Sequence, residues 1–408
     1  MLDQLYFDVL NMIVSYLNEK DIIQLLKTCK SIYKEKHHFL YHFIIDVNQV
    51  KYLSYFNHFK KLHYDCTDDN EYPAYGNRVC SLLCANKIID PVCWKHITRL
   101  NVYYFDGLHQ FENLTHLKVK VHQGDKLFSE DGQTMIPKVK HLEVSCGSYE
   151  DPNMLMIDSD GNIKSFISAG VQSLKLDFFR STNIQHLIPD GVKDLTFVDI
   201  DVRLFYNNTK FIPESVVCLD LGDYFRGNLI MNNGKSALPS NLKKLILGIS
   251  YNKSLIGALP SSLEKLCIGD EFNQSLYGHL PEGLIHLTLG FYFKHKLPKM
   301  PSSLRYLELG FGFNNSIDKL NDDLHTLILG VKFVVKVSRL PTKLKVLQIY
   351  DTADPSIIGC LPEGIEKVVI KRMSGFTTDV IIRKFLPDGK KWPKSIQHLI
   401  IHDKTIIV

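Results

Sequence analysis

Cysteine and histidine are the residue types in this chain whose spacing could do chemistry, by holding a metal ion. The densest group consists of Cys80, Cys84, Cys93 and His96, with His63 and Cys66 upstream. Thiolate and imidazole are ligands that zinc prefers. The spacing C-x3-C-x8-C-x2-H, however, corresponds to no common zinc finger, and cysteine is also a frequent small core residue. We therefore expect no metal and no cofactor.

The other reactive residue types show no catalytic spacing. His286 and His325 occupy variable positions of a sequence repeat, and no serine or cysteine has a base at a recognisable distance along the chain. The glycine–phenylalanine run at 310–313 lacks the lysine and the strand–turn–helix context of a phosphate-binding loop. We therefore assign no catalytic residues and expect that the protein is not an enzyme.

Composition places the chain among ordinary globular proteins. Of its 408 residues, 45% are hydrophobic and 23% are charged, and its formal net charge is +4. This near-balance of charge gives no electrostatic footprint for nucleic acid or for an anionic membrane. The nine scattered cysteines favour reduced thiols over a disulfide framework. With no secretory signal and no apolar run of about 18–20 residues, we expect a cytoplasmic protein.

One pattern recurs along the second half of the chain. Its copies start at Pro239, Pro260, Pro281, Pro301, Asn321, Pro341 and Pro362. The consensus reads P-x-x-L-x-x-L-x-L-G-x-x-[FY], and its apolar hexad also recurs upstream from Ile97 and downstream at Ile396. A period near 20 residues is too short for two packed helices, which need about 34 residues. It suits one short strand and a return arc.

The repeat predicts a mainly β solenoid with parallel strands. The Leu-x-Leu segment alternates as a strand does, proline removes a backbone donor before it, and glycine permits a sharp turn after it. A single copy buries too little apolar surface to be stable alone, so the copies must stack. The hexad residues and one aromatic residue per copy should point inwards. These aromatic residues are Tyr251, Phe272, Phe293, Phe313 and Phe333.

This repeat resembles the leucine-rich repeat and, more specifically, its short relative, the FNIP repeat. The slot where leucine-rich repeats place asparagine holds Ser250, Glu271, Tyr292, Gly312 and Lys332. An aromatic residue follows, and then Asn252, Asn273 and Asn314 in three copies. The resemblance covers 210–370 closely and 95–210 more loosely. The last proline of the FNIP pattern is replaced by Ser254, Ser275 and Ser316.

The first 45 residues do not follow the repeat and predict three helices. From Leu5 to Leu17 the residues are apolar except for a narrow polar stripe of Asp8, Asn11 and Ser15. Asn18 or Asp21 can cap a second helix, whose apolar residues recur at helical spacing from Ile22 to Tyr33. A short third helix is indicated by Leu40, Tyr41, Phe43 and Ile44.

This segment resembles the F-box. The resemblance is carried by Leu5-x-x-Asp8-Val9-Leu10, Ile13-x-x-Tyr16-Leu17, Asp21-Ile22 and Thr28-Cys29-Lys30-x-x-Tyr33. The family's proline after the first leucine is Tyr6 here, and its later tryptophan is Tyr33. The resemblance implies docking on the Skp-type adaptor of a cullin–RING ubiquitin ligase. The implied adaptor-binding residues are Leu5, Tyr6, Val9, Leu10, Ile13 and Leu17.

The predicted organisation is an F-box-like helical domain at 1–45, degenerate leucine-rich repeats at 46–165 and an FNIP-type solenoid at 166–408. An F-box followed by FNIP repeats is a combination common in social amoebae and in giant viruses that infect amoebae. It implies the substrate receptor of a ubiquitin ligase, acting in the host cytoplasm if the chain is viral. The alternative is a non-enzymatic scaffold or decoy whose N-terminal helices only cap the solenoid.

The variable strand positions that flank the inward leucines are the candidate binding surface for a target protein. Varied side chains on a constant frame are how solenoids present a recognition surface. The predicted target-binding residues are Lys244, Ile246, Lys265, Cys267, His286, Thr288, Tyr306, Glu308, Thr326, Ile328, Val346 and Gln348. Ile246, Tyr306, Ile328 and Val346 in a row would form an apolar patch.

Overall fold

A computed structural model describes the chain in segments that form two compact units. The described residues are 41–46, 59–65, 79–84, 97–102, 108, 111–122, 125, 127–128, 133–146, 155–157, 163–177, 187–198, 211–386, 392–402 and 404–406. One unit comprises Met1–Ser173 and the other Leu174–Val408. The predicted helices over the first 40 residues lie outside the described residues.

The described part of the first unit is built mainly of parallel strands. Its strands are β1 (Tyr41–Asp46), β2 (Phe59–Asp65), β3 (Val79–Cys84), β4 (Arg99–Val102), β5 (His116–Val121), β6 (His141–Cys146), β7 (Leu155–Ile157) and β8 (Ile163–Ser165). Strands β1 to β6 pair in chain order, each parallel to the next. Strands β7 and β8 form a separate antiparallel pair. The repeating strands therefore begin far upstream of the hexad at Ile97.

The predicted third helix is wrong. Residues Tyr41–Asp46 form strand β1 and pair parallel with β2. Aromatic and β-branched residues dominate this run, and such residues favour strands over helices. Its backbone groups gain partners from the neighbouring strand, which a sequence pattern of apolar residues alone does not reveal.

The second unit continues the same design with closer spacing. Its strands are β9 (Ser173–Asp177), β10 (Asp194–Phe197), β11 (Cys218–Asp220), β12 (Lys244–Leu247), β13 (Lys265–Ile268), β14 (His286–Leu289), β15 (Tyr306–Leu309), β16 (Thr326–Leu329), β17 (Val346–Tyr350), β18 (Lys367–Lys371), β19 (His398–Ile401) and β20 (Lys404–Ile406). From β10 to β19 each strand is parallel to the next. Strand β20 returns antiparallel to β19.

Burial follows the alternation that the repeat predicted. In each of strands β12 to β16, the second and fourth residues are buried and the first and third are half-buried. Every hexad residue from Ile97 to Ile401 is buried, including those of the looser upstream copies. The predicted β solenoid of leucine-rich-repeat type is therefore confirmed for the described residues.

A stack of aromatic rings runs through the core of the second unit. Phe225 and the five predicted inward aromatic residues lie with neighbouring ring centroids 5.9–6.3 Å apart and nearly parallel planes. All six side chains are buried. Each turn thus places its ring on the ring of the turn before it, so the stack fixes the spacing of successive turns.

The glycine after each strand is required for a different reason than the one predicted. A Cβ atom at Gly248, Gly269, Gly290, Gly310 or Gly330 would lie 2.2–2.5 Å from backbone atoms of the preceding turn. None of these five glycines has a positive φ, whereas Gly222 at the equivalent position does. Glycine is therefore needed there for close approach of neighbouring turns rather than for a sharp turn.

Hydrogen bonds explain where this repeat departs from its relatives. The side-chain oxygen of Asn252 accepts from the Asn273 N–H at 3.0 Å, and that of Asn273 accepts from the Lys294 N–H at 3.1 Å. The late asparagine thus links each turn to the next. The serines that replace proline act within their own turn, since Ser254 and Ser275 each accept from the backbone N–H two residues further on.

A different arrangement covers the C-terminal end of the second unit. A 3-10 helix at Pro355–Cys360 and helix α1 (Thr378–Phe385) interrupt the repeat. The buried carboxylate of Asp351 accepts from the N–H and hydroxyl of Ser374 at 3.0 and 2.6 Å, and lies 3.1 Å from Nε2 of His402. These three residues follow β17, β18 and β19, so one carboxylate connects three successive turns.

Candidate interaction surface

The predicted target-binding residues all lie on the outward side of the strands. Each of them is half-buried, and each lies between two buried hexad positions. The unbroken register aligns them in two columns. The first column is Lys244, Lys265, His286, Tyr306, Thr326 and Val346, and the second is Ile246, Cys267, Thr288, Glu308, Ile328 and Gln348.

The apolar members of this surface do not form a continuous row. Ile246 and Ile328 belong to the second column, where Cys267, Thr288 and Glu308 separate them. Tyr306 and Val346 belong to the other column, with Thr326 between them. The expected apolar patch is therefore wrong, because the alternation of the strand assigns these residues to different columns. The surface is instead a mosaic of polar and apolar groups.

At the centre of the surface, side chains of β14 and β15 stack on and hydrogen-bond to one another. The rings of His286 and Tyr306 stack with centroids 3.9 Å apart and planes 5° from parallel. The Tyr306 hydroxyl donates to a Glu308 carboxylate oxygen at 2.9 Å, and the Thr288 hydroxyl lies 3.2 Å from Nε2 of His286. A partner would therefore meet rigid rings that lose little conformational freedom on binding.

Both rings are uncharged at neutral pH, and burial shifts their pKa values further from neutrality. Burial lowers the pKa of His286 to about 4, with a further contribution from the nearby Lys265 ammonium group. Burial also raises the pKa of Tyr306 well above its ordinary value, as does the carboxylate of Glu308. Neither group therefore exchanges a proton near neutral pH.

A second group of aromatic side chains, which the sequence analysis missed, lies just beyond the strands. Phe291 and Phe311 follow the glycines of consecutive turns, and their rings stack with centroids 4.2 Å apart. Tyr292 contacts Phe291 edge-on at 4.8 Å, and the Lys332 ammonium group lies 5.2 Å from the Phe311 centroid. The sequence signal for this group is the recurrence of phenylalanine directly after the strand glycine, in Gly290-Phe291 and Gly310-Phe311.

The remaining predicted sites lie largely outside the described residues. None of the six predicted adaptor-binding residues is described, and neither are Cys66, Cys93 and His96 of the cysteine–histidine cluster. Only the backbone is described at His63, Cys80 and Cys84, in β2 and β3. Within the described segments, no group of three or more histidine, cysteine or acidic residues is arranged to hold a metal ion.

The helices of the described segments include none with the length and apolar character needed to cross a membrane.

Solved structures similar to this chain include those of CroV588 and YopM. The crystal structure of CroV588, described as a novel circular LRR protein, is 16% identical with a TM-score of 0.48. That comparison covers 90% of this chain and 66% of the other, so this chain spans just under two thirds of CroV588. YopM from Yersinia enterocolitica WA-314 is 15% identical with a TM-score of 0.32, covering 84% of this chain and 85% of YopM. No curated protein sequence matches the chain significantly.

Two family models match the sequence itself. The F-box domain model matches residues 2–34, which is the segment where the sequence indicated an F-box. The FNIP repeat model matches residues 232–271 and 272–312, which span strands β12 to β15 and the centre of the outward surface. The chain therefore combines an F-box domain with FNIP repeats, which confirms the resemblance to both families that its sequence indicated.

Proposed function

We propose that this chain is the substrate-receptor subunit of a cullin–RING ubiquitin ligase acting in the cytoplasm. In this proposal the F-box docks on a Skp-type adaptor through Leu5, Tyr6, Val9, Leu10, Ile13 and Leu17. The repeats hold a target protein on the outward columns described above. The observation that carries the proposal is the joint presence of an F-box at residues 2–34 and a solenoid with a preorganised outward surface.

The receptor works by proximity and performs no chemistry of its own. Tethering a target beside the charged conjugating enzyme raises the effective concentration of target lysines at the reactive thioester. The uncharged His286–Tyr306 pair favours this role, because it offers a binding surface and no group ready to exchange a proton near neutral pH.

The proposal is tested by separating its two halves with point variants. The double variant Leu10→Asp/Ile13→Asp should abolish capture of the adaptor while the repeats stay folded and still retain the target. The matched control is Asn11→Asp/Ser15→Asp, which adds the same charge on the polar stripe and should keep the adaptor. Affinity purification from the native cell, followed by mass spectrometry, reports adaptor and target together.

The target half of the proposal is tested at Tyr306. Truncating a rigid central tyrosine commonly weakens an interface by about tenfold or more, so Tyr306→Ala should lose the target and keep the adaptor. Tyr277→Ala is the control, since this tyrosine is 78% exposed and lies on the return arc, away from the columns. Wild-type protein that never captures an adaptor would refute the ligase proposal and leave the scaffold or decoy alternative.

A further inference from the structure

The first outward column places two lysines side by side. Lys244 of β12 and Lys265 of β13 are register partners, and neighbouring strands of a sheet lie about 4.8 Å apart. Both side chains are half-buried. Like charges at directly opposite positions destabilise a sheet, so folding alone gives no reason for this lysine pair.

Among the described residues, neither lysine forms an ion pair with a carboxylate. The carboxylates in this part of the unit accept from other donors: Glu264 from the Lys243 ammonium group at 2.7 Å, Glu308 from the Tyr306 hydroxyl at 2.9 Å, and Asp220 from the Gly222 N–H at 3.0 Å. Asp220 nevertheless lies near Lys244: burial raises the pKa of its carboxyl, and the Lys244 ammonium group offsets part of that effect. Neither ammonium group forms an ion pair with a described carboxylate, so both lysines keep bonding capacity for a group that approaches the outward surface.

The next residue of the first column, His286, has an uncharged aromatic side chain. His286 is the register partner of Lys265, and its pKa of about 4 leaves it neutral at physiological pH. Its ring stacks on Tyr306, and Ile246 follows two positions after Lys244 on the same strand. The surface thus has a cationic part beside an aromatic and apolar part.

We propose that the target segment held on this surface is acidic, with an aspartate or glutamate carboxylate lying between the ammonium groups of Lys244 and Lys265. This deepens the proposed function, on which it rests for the statement that the outward columns hold a target. A carboxylate between the two ammonium groups removes their repulsion, and partial burial of the lysines strengthens the attraction relative to bulk water.

A carboxylate fits this site better than a phosphate group. Phosphate sites favour the forked guanidinium of arginine, often with backbone N–H groups. Within the described segments, the arginine nearest in sequence to these columns, Arg305, already donates to the backbone oxygens of Ser302 and Leu304. The lysine pair supplies two point charges, which a carboxylate side chain matches.

Fluorescence anisotropy with the purified full-length chain tests the proposal without requiring the adaptor. The probes are fluorescein-labelled decaglutamate, decalysine and a phosphoserine–glycine peptide with the same charge as decaglutamate. We expect decaglutamate to bind, decalysine not to bind, and the decaglutamate affinity to fall as salt is raised. The variant Lys244→Glu/Lys265→Glu should weaken decaglutamate binding by about tenfold or more.

The control variant is Lys253→Glu/Lys336→Glu, which changes two exposed lysines outside the columns. Both double variants bring the formal net charge from +4 to 0, because each substitution changes it by two. An equal loss of binding in the control would overturn the proposal, because net charge would then explain the binding. Tighter, lysine-dependent binding of the phosphoserine peptide would overturn it in favour of a phosphate site.

A second variant separates binding from folding. Lys265→Met keeps an unbranched side chain of similar length and removes the charge and the repulsion, so it should weaken decaglutamate binding while leaving the melting temperature unchanged or higher. A lower melting temperature would overturn the proposal by showing that the lysine stabilises the fold. Failure of adaptor capture in the earlier experiment would leave these binding results unaffected, so the two proposals fail separately.

Discussion

At the scale of single residues, the aromatic stack contains one member that does not suit its place. Tyr251 stands where the neighbouring turns have phenylalanine, and its side chain is buried. Its hydroxyl has no hydrogen-bond partner among the described residues. Burial also raises the pKa of Tyr251 far above its ordinary value. The ring contributes to the stack, whereas the buried hydroxyl opposes folding.

Tyr251→Phe should therefore stabilise the second unit. Removing an unsatisfied buried hydroxyl should raise the free energy of unfolding by about 1 kcal/mol or somewhat more. The reverse change, Phe272→Tyr, should lower it by a similar amount, because it buries a hydroxyl at the equivalent position. Urea unfolding followed by circular dichroism measures both. A loss of stability in Tyr251→Phe would show that the hydroxyl has a partner.

Individual residues also show which structural roles could be predicted from the sequence and which could not. The inward hexads and rings were predictable because burial on every turn imposes one residue type at one spacing. The role of Gly290 was not, since its missing Cβ matters only against the backbone of Gly269, 21 residues away. The same holds for Phe291 and Phe311, whose stacking depends on the spacing of turns.

At the scale of structural elements, the arrangement around Asp351 closes the C-terminal end of the second unit. Burial opposes ionisation of this carboxyl. Donors from the hydroxyl and N–H of Ser374, the N–H of Met373 and His402 outweigh that effect and hold the pKa of Asp351 below its ordinary value. Helix α1 adds a bond from the Lys384 ammonium group to the Asp351 backbone oxygen at 2.7 Å.

Stability at this end should depend on acid pH with a definite sign. A depressed pKa means that the carboxylate stabilises the fold above the unfolded-state pKa, which is about 3.9 for aspartate. That contribution is lost as pH falls through the lower folded-state pKa. Asp351→Asn should therefore lower the free energy of unfolding by about 3 kcal/mol at pH 7. The deficit should shrink as pH falls below about 4.

Thermal unfolding measured from pH 7 to pH 3 checks this expectation. Asp223→Asn is the control, because Asp223 is exposed and its loss should change stability little at any pH. A deficit in Asp351→Asn that stays constant across the pH range would contradict a role for the charged carboxylate.

The first unit shows where prediction by element fails. Apolar residues at 40–44 suggested a helix, yet β1 pairs with a strand that begins 13 residues after it ends. Local spacing distinguishes helix from strand poorly over so few residues, and the partner strand decides the outcome. Close repeats in the second unit avoided this difficulty, because seven copies share one strand position.

At the scale of the whole molecule, the stacked turns of the second unit should be interchangeable in number. Deleting residues 281–300 removes one complete turn and joins Leu280 to Pro301, which recreates the natural Leu–Pro junction. Because each turn contacts mainly its neighbours, this variant should fold with strand content close to that of the parent chain.

Deleting residues 281–290 instead is the control, since it removes strand β14 and leaves its return arc. That variant should lose cooperative thermal unfolding, because the remaining arc 291–300 has no strand of its own and is left as an insertion between the turns of β13 and β15. Circular dichroism and thermal melts compare the two deletions. Equal disruption by both would contradict a modular solenoid.

The antiparallel strand β20 has a consequence for how molecules of this kind behave at high concentration. The edge strand of a parallel sheet exposes backbone N–H and C=O groups that have no partner. A strand from another copy could pair with these groups, and repeated pairing would form a polymer. Reversing the chain direction after β19 occupies these groups with strand β20. Strand β20 is now the edge, but a strand of three residues that begins with Lys404 offers another copy a shorter ladder than β19 would. Shortening the chain before Lys404 should therefore make the protein more prone to associate edge to edge, which light scattering at rising concentration measures.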